Sequence, residues 1–228
     1  MWRFALKQTW RDFRAGDLRL LGLAVVVAVA AISSVGFLSD RVARALERDA
    51  GQMLGADLVV ELPAEADQGW IDRAQSAGLS AIRTWNFPSM VGSNAGELQL
   101  ASVKAVEAGY PLRGQLRTSR GITEPDEPTV VAPDVGKVWV DGQLLALLGL
   151  SVGDMLSVGS QNLAIDRVIT YEPDRGVQFV NVAPRVLIRA EDLAQSGLLG
   201  PGSRVRHSML VAGDTPAVNA YRDWLKPS

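Results

Sequence analysis

There is no cysteine in the 228 residues and a single histidine, His207. Disulfide frameworks, thiolate zinc sites and multi-histidine metal centres are therefore excluded. No G-x-x-x-x-G-K-[ST] run is present, so the chain does not hold ATP through a P-loop. There is no excess of positive charge: 23 Lys and Arg stand against 25 Asp and Glu, net −2, which argues against a nucleic-acid binder. Charged residues are 21% and hydrophobic ones 47%, a balance that excludes a disordered chain.

The most informative absence is local. From Leu20 to Ser39 there is neither a charge nor a proline, and eleven of the residues are Leu, Val, Ile or Phe. At about 1.5 Å per residue, such a helix matches the roughly 30 Å of a bilayer core. The run reads as a membrane span. Its rival is a cleaved signal peptide. That would have to cut at Ala28-Val29-Ala30, in the middle of the run, and leave a hydrophobic mature end from Ala31 to Leu38. Ala24, Ala28 and Ala31 share one face of the span, with Ala30, Ser33 and Ser34 close by. Small residues let another helix approach, so the span is expected to meet partner membrane helices; they also serve as plain filler.

The flanks predict orientation. Arg3, Lys7, Arg11, Arg14 and Arg19 outweigh Asp12 and Asp17 before the run, net +3. From Asp40 onward 18 basic residues face 23 acidic ones, net −5, although Arg41, Arg44 and Arg48 weaken the contrast. The positive-inside rule places the N-terminus in the cytoplasm and the bulk outside, periplasmic in a bacterial cell. Residues 1–14 carry Trp2, Ala5, Leu6, Thr9, Trp10 and Phe13 on one helical arc and Arg3, Lys7, Arg11 and Arg14 on the other, with Phe4 the exception. This is the pattern of an interfacial helix; an unstructured charged leader is the alternative.

Helical spacing continues through Val42, Leu46, Ala50 and Leu54, with Asp40 and Arg44 placed to pair and Gly55 as a stop. One long helix, Leu18 to Leu54, is expected to cross the membrane and continue as a stalk. Beyond it the grammar is α+β. A strand over 56–62, a helix over 67–75, a strand over 79–91 broken at Pro88 and a strand over 98–106 form a first unit, 56–132. Its last part, Gly121 to Pro133, holds three prolines and reads as an exposed connection. A β-rich second unit, 133–212, follows: a strand at 138–140, a helix over 141–148 capped by Gly149, a hairpin around Gly159-Ser160-Gln161, a strand over 180–188, a helix over 190–196 and a closing strand over 203–211. A new helix begins at Pro216, within a final segment 213–228.

One catalytic motif is present. Gly149-Leu150-Ser151-Val152-Gly153 matches G-x-S-x-G, with His207 downstream and Asp166, Asp174 or Asp192 as a third member. A nucleophile elbow needs a strand before the serine and a helix after it. Here the order is reversed, and Gly149 and Gly153 are better read as cap and turn. Glu124, Asp126 and Glu127 could hold a hard cation, but Pro125 and Pro128 mark a solvated loop. Asp174-Arg175-Gly176 reads as a turn. No catalytic, cofactor-binding or metal-binding residue is assigned, and no enzymatic activity is expected.

The start, Ala5-Leu6-Lys7-Gln8-Thr9-Trp10-Arg11-Asp12-Phe13-Arg14-Ala15-Gly16-Asp17-Leu18-Arg19, resembles the N-terminus of FtsX-like, MacB-type ABC-transporter permeases, in the long YbbP-like branch. So do Ser34-Val35-Gly36-Phe37 with Asp40-Arg41, Leu54-Gly55-Ala56-Asp57-Leu58, Lys104-Ala105-Val106, Gly109-Tyr110-Pro111-Leu112-Arg113-Gly114, Glu172-Pro173-Asp174-Arg175-Gly176 and Ala183-Pro184-Arg185. The resemblance implies a bacterial inner-membrane permease subunit with a periplasmic α/β porter-type half-domain and a β-rich insertion. It implies no cofactor in this chain, ATP being bound by a separate cytoplasmic ABC ATPase. It further implies a homodimer in the full-length protein, the lipid bilayer and other permease helices as surroundings, and export or extraction of a lipid, lipoprotein or hydrophobic compound. The family's later membrane helices have no counterpart, so the chain is expected to be an N-terminal fragment with an exposed apolar sheet face. The alternatives are a stand-alone anchored extracytoplasmic binding domain and a secreted hydrolase using Ser151.

Overall fold

The computed structural model describes residues 17–175, 183–200 and 204–226, and the side chains of 20–43 and of 51 onward within those ranges. The interfacial helix expected over 1–14 lies outside the described residues, as do the Arg44 side chain and the start of the strand expected at Val180. The chain divides into two compact units, Met1–Arg48 and Asp49–Ser228.

Helix α1 spans Asp17–Leu54 and ends where Gly55 takes φ +70°. Its stretch Leu20–Ala43 is the one helix among the described residues long and apolar enough to cross a membrane. Every side chain of that stretch is exposed in the isolated chain, Ile32 and Phe37 by more than 70%. The Ser34 hydroxyl donates to the Ala30 carbonyl at 2.7 Å, so its polarity is satisfied inside the helix. A soluble core helix would bury an apolar stripe; this stretch buries none. Val27→Arg is expected to weaken insertion by about 2.5–3.5 kcal/mol. Carbonate extraction checks it: the unaltered chain stays with the membrane and the variant is partly released. A soluble product cut near Ala30 would instead establish a signal peptide.

The second unit is built on one ten-stranded mixed sheet. In chain order come β1 (Leu58–Leu62), α2 (Gln68–Ser76), β2 (Ser80–Ser93), β3 (Leu98–Val106), β4 (Leu116–Ser119), β5 (Glu127–Thr129) and β6 (Lys137–Asp141). Then follow α3 (Gly142–Leu148), β7 (Met155–Val158), β8 (Gln161–Tyr171), β9 (Arg185–Arg189), α4 (Ala190–Gln195), β10 (Arg206–Ala212) and α5 (Thr215–Leu225). The lateral order is β1-β10-β2-β3-β9-β6-β8-β4-β5, and β7 bridges β2 and β8. The path β2-β3-β9-β6-β8-β7 therefore returns to β2, a closed ring of strands. Phe87, Val103, Val138, Leu156, Ile165 and Val186 pack its core together with Leu144 and Leu148 of α3. Beyond the ring, β1 and β10 extend β2, and α2 and α5 pack on them through Ile71, Ala74, Val218 and Tyr221.

Local chemistry explains the helix ends. The Asp67 carboxylate accepts the Gly69 N–H at 2.7 Å to start α2, and Asp141 accepts that of Gln143 at 3.1 Å to start α3. Gly149 closes α3 at φ +63°. Three expectations are corrected. Pro88 does not break its strand. It lies opposite Ser102, whose N–H turns away to the Pro184 carbonyl, so Pro88 faces the side where the β10 ladder has ended at Asn86. No ladder hydrogen bond is lost there. The proline-rich connection contains β5, paired with the unforeseen β4. Finally, β10 was expected to close the second sequence unit but lies between β1 and β2. The hydrogen-bonded ring joins β2 and β3 to β6–β9, so strands from both sequence units share one core.

Candidate functional site

Four of the segments quoted for the family resemblance meet in space. Lys104 sits mid-strand in β3 with its side chain 3% exposed. Its ammonium donates to the Tyr110 hydroxyl at 2.8 Å and to Glu172 at 3.0 Å, and also pairs with Asp174. The Tyr110 hydroxyl lies 2.6 Å from Asp174 and 3.1 Å from Glu172. Glu172 is fully buried and also meets Arg185 Nε at 2.7 Å, as an ion contact rather than an aligned hydrogen bond. Arg185 donates to Ser102 at 2.9 Å. Burial alone would raise the Glu172 carboxyl, but the Lys104 ammonium and Arg185 guanidinium outweigh it and bring it down to about 2. Burial pushes the Tyr110 hydroxyl well above its usual range, and the Asp174 and Glu172 charges add to this. The network is thus two cations, two carboxylates and a neutral phenol.

This network stands beside the foot of α1. A Cβ on Gly55 would meet Pro111, Pro173 and Asp174 side-chain atoms within 4 Å. The Gly55 carbonyl accepts the Arg113 N–H at 2.9 Å, and the Arg113 guanidinium grips Asp57 at 2.8 Å. Asp57 also accepts the Gly213 N–H at 2.9 Å, and its own N–H reaches the Val211 carbonyl at 3.0 Å. Three loops and the end of β10 therefore close on Gly55 and Asp57, in the three residues between α1 and β1. The sequence reading quoted these residues as a resemblance but did not foresee their meeting. The available signal was Lys104 inside an otherwise apolar strand, together with two carboxylates flanking Pro173.

The G-x-S-x-G motif does not have the strand-then-helix geometry of a nucleophile elbow. Ser151 is exposed in the turn after α3, its N–H bound to the Asp154 carboxylate at 2.8 Å, and β7 follows. His207 lies on β10 opposite Trp85, and no hydrogen bond joins it to Ser151 among the described residues. The three acids are engaged elsewhere. Asp166 accepts Trp139 Nε1 at 3.1 Å, Asp192 accepts the Gly136 N–H at 3.0 Å, and Asp174 belongs to the buried network. Ser151→Ala should change stability by less than about 0.5 kcal/mol. A fluorophosphonate probe should leave Ser151 unlabelled; labelling that depends on His207 would reverse this. In the acidic loop, the Arg117 guanidinium and the Thr170 hydroxyl already hold Asp126, and hold its carboxyl well below the usual range. No group of three or more metal-ligating side chains occurs among the described residues.

The sheet face opposite α2 and α5 is mixed: Glu61, Ser208, Thr84, Asn86 and Arg206 stand with Leu54, Val59 and Leu210 around a hollow of about 220 Å³. Apolar exposure on that face lies at the β2–β3 hairpin end, at Met90, Leu98 and Leu100.

No family model matches the chain. Over 219 residues, 96% of its length, it is 33% identical to YbbP of Escherichia coli (strain K12), an uncharacterized ABC transporter permease. This chain is a relative of ABC transporter permeases. It spans 26% of the length of YbbP. A fainter structural likeness, at 11% identity and TM-score 0.49, is to the extracellular domain of a noncanonic ABC-type transporter, YknZ, from Gram-positive bacteria. It covers 72% of this chain and 88% of that domain.

Proposed function

We propose that this chain is the anchoring and periplasmic portion of a permease subunit. It couples a cytoplasmic ABC ATPase to conformational change outside the inner membrane, in export or extraction of a lipid, lipoprotein or hydrophobic compound. The observation that carries this reading is the 33% identity to a permease across 96% of the chain. The N-terminus lies in the cytoplasm, as the net +3 before the span favours, and the sheet unit lies in the periplasm. The Ala24, Ala28 and Ala31 face receives other permease helices, and two permeases assemble as a homodimer. ATP binds the partner.

The test uses proteoliposomes holding a permease that contains this chain, with its cognate ATPase. ATP turnover and ATP-dependent transfer of a fluorescent phospholipid to acceptor vesicles are measured together. The expected result is transfer that requires ATP and the permease, with turnover stimulated by the permease. Turnover that ignores the permease would overturn the coupling; stimulated turnover without phospholipid transfer would overturn the lipid substrate.

A further inference from the structure

The hollow on the open sheet face has an ordered lining. Strand register places Glu61, Ser208 and Thr84 in one row across β1, β10 and β2. The next row is Arg206, Asn86 and Lys104 across β10, β2 and β3. Before the Glu61 row stand Val59 and Leu210, with Leu54 also on the wall. One end is thus aliphatic, and the other carries a guanidinium, an amide and the edge of the buried network.

The charges balance. Lys104 and Asp174 line the hollow but satisfy each other. Glu61 and Arg206 stand on a strand diagonal, and no ion pair or hydrogen bond engages either side chain among the described residues. Thr84 is only 5% exposed, yet its hydroxyl donates to and accepts from nothing among the described residues. The hydroxyl is not among the fully enclosed polar atoms that lack a partner, so it opens onto the hollow and is free to bond an occupant. The hollow is below the size of drug-like pockets, so a small occupant fits.

We infer that this hollow binds a small zwitterion: an ammonium at the Glu61 carboxylate, an oxyanion at Arg206 and the Asn86 amide, and an aliphatic part against Val59, Leu210 and Leu54. A net-charged ligand would leave one of the two opposed charges unmatched, whereas a zwitterion meets both. Thr84 and Ser208 supply hydroxyls between the two poles. This chemistry occurs in free aliphatic amino acids and in the ethanolamine phosphodiester headgroup of a lipid. The inference does not depend on transport.

The test is calorimetric titration of the full 228-residue chain in maltoside micelles with L-leucine and, separately, glycerophosphoethanolamine. Saturable binding of either one is expected, and which one binds identifies the source. For leucine, removing one pole, in leucinamide or 4-methylpentanoate, should weaken binding at least about tenfold. Ethanolamine and glycerol phosphate are the matching controls for glycerophosphoethanolamine. Arg206→Gln and Thr84→Val should each weaken binding about tenfold, while Thr84→Ser, which keeps the hydroxyl, should bind like the unaltered chain. Circular dichroism melts show that each variant is folded. No saturable heat from either probe, or affinity unchanged in folded Arg206→Gln and Thr84→Val, overturns the inference.

Discussion

Glu172→Ala lowers the unfolding free energy of the chain by about 3–5 kcal/mol, the range for breaking a buried ion pair from one side. The reason is what remains. Lys104 keeps Asp174 and Tyr110, but Arg185, 2% exposed, is left with the Ser102 hydroxyl and a 3.4 Å contact to Asn86. A guanidinium with no carboxylate in a dry site is far costlier than an exposed one. Asp126→Ala removes a bidentate pair with Arg117, but in solvent, and its effect should be much smaller. Urea titration followed by circular dichroism in micelles measures both. Equal effects would mean that water reaches the Glu172 site.

The same carboxylate sets an acid limit. Its folded pKa of about 2 lies below the ordinary 4.5, so its contribution is fully present above about 4.5 and is lost as pH falls from there toward 2. Tyr110 sets an alkaline limit of opposite sign. Its pKa is raised in the fold, so stability is kept below 10 and falls as pH rises beyond it. Urea midpoints at pH 7 and pH 3 should differ in the unaltered chain and differ less in Glu172→Ala.

How much of this was legible in the sequence depends on the range over which each signal acts. The end of α1 at Gly55, the caps at Asp67 and Asp141 and the turn at Gly149 are decided by neighbouring residues, and the sequence shows them. Ser151 could be set aside as a nucleophile for the same reason, because the order of helix and strand around it is local. β4 and β5 were not legible. They are four and three residues long and owe their strand character to the pairing of Leu116 with Thr129 and of Thr118 with Ile169. Nor was the place of β10, whose continuous apolar run Met209-Leu210-Val211-Ala212 fits any buried sheet position. The Lys104 network was the hardest to read. Its members come from β3, the loop after it, the turn after β8 and the start of β9, and Lys104 and Glu172 are 68 residues apart. Their types and order were visible as a family resemblance, but only the fold brings them into contact.

The tightest packing at the foot of α1 yields the second large effect. Gly114 has φ +72°, and a Cβ there would stand 2.5 Å from the Gln52 carbonyl oxygen in the last turn of α1, with Pro173 at 3.5 Å behind. The obstacle is backbone, so no rotamer relieves it. Gly78 offers the comparison: φ is +74°, and a Cβ would meet nothing within 4 Å. Both substitutions to alanine carry the left-handed backbone cost of about 1–2 kcal/mol. Gly114→Ala adds an overpacking cost of about 1–3 kcal/mol, because either the Gln52 turn or the Arg113 loop must move. Gly114→Ala should therefore destabilise by roughly 2–5 kcal/mol and Gly78→Ala by roughly 1–2 kcal/mol. The location of the damage should differ as well. The Arg113 N–H bonded to the Gly55 carbonyl at 2.9 Å is one residue from the substitution, so its hydrogen exchange should accelerate in Gly114→Ala and stay slow in Gly78→Ala. If the two variants melt alike and Arg113 stays protected in both, the foot of α1 is held loosely enough to absorb a methyl group.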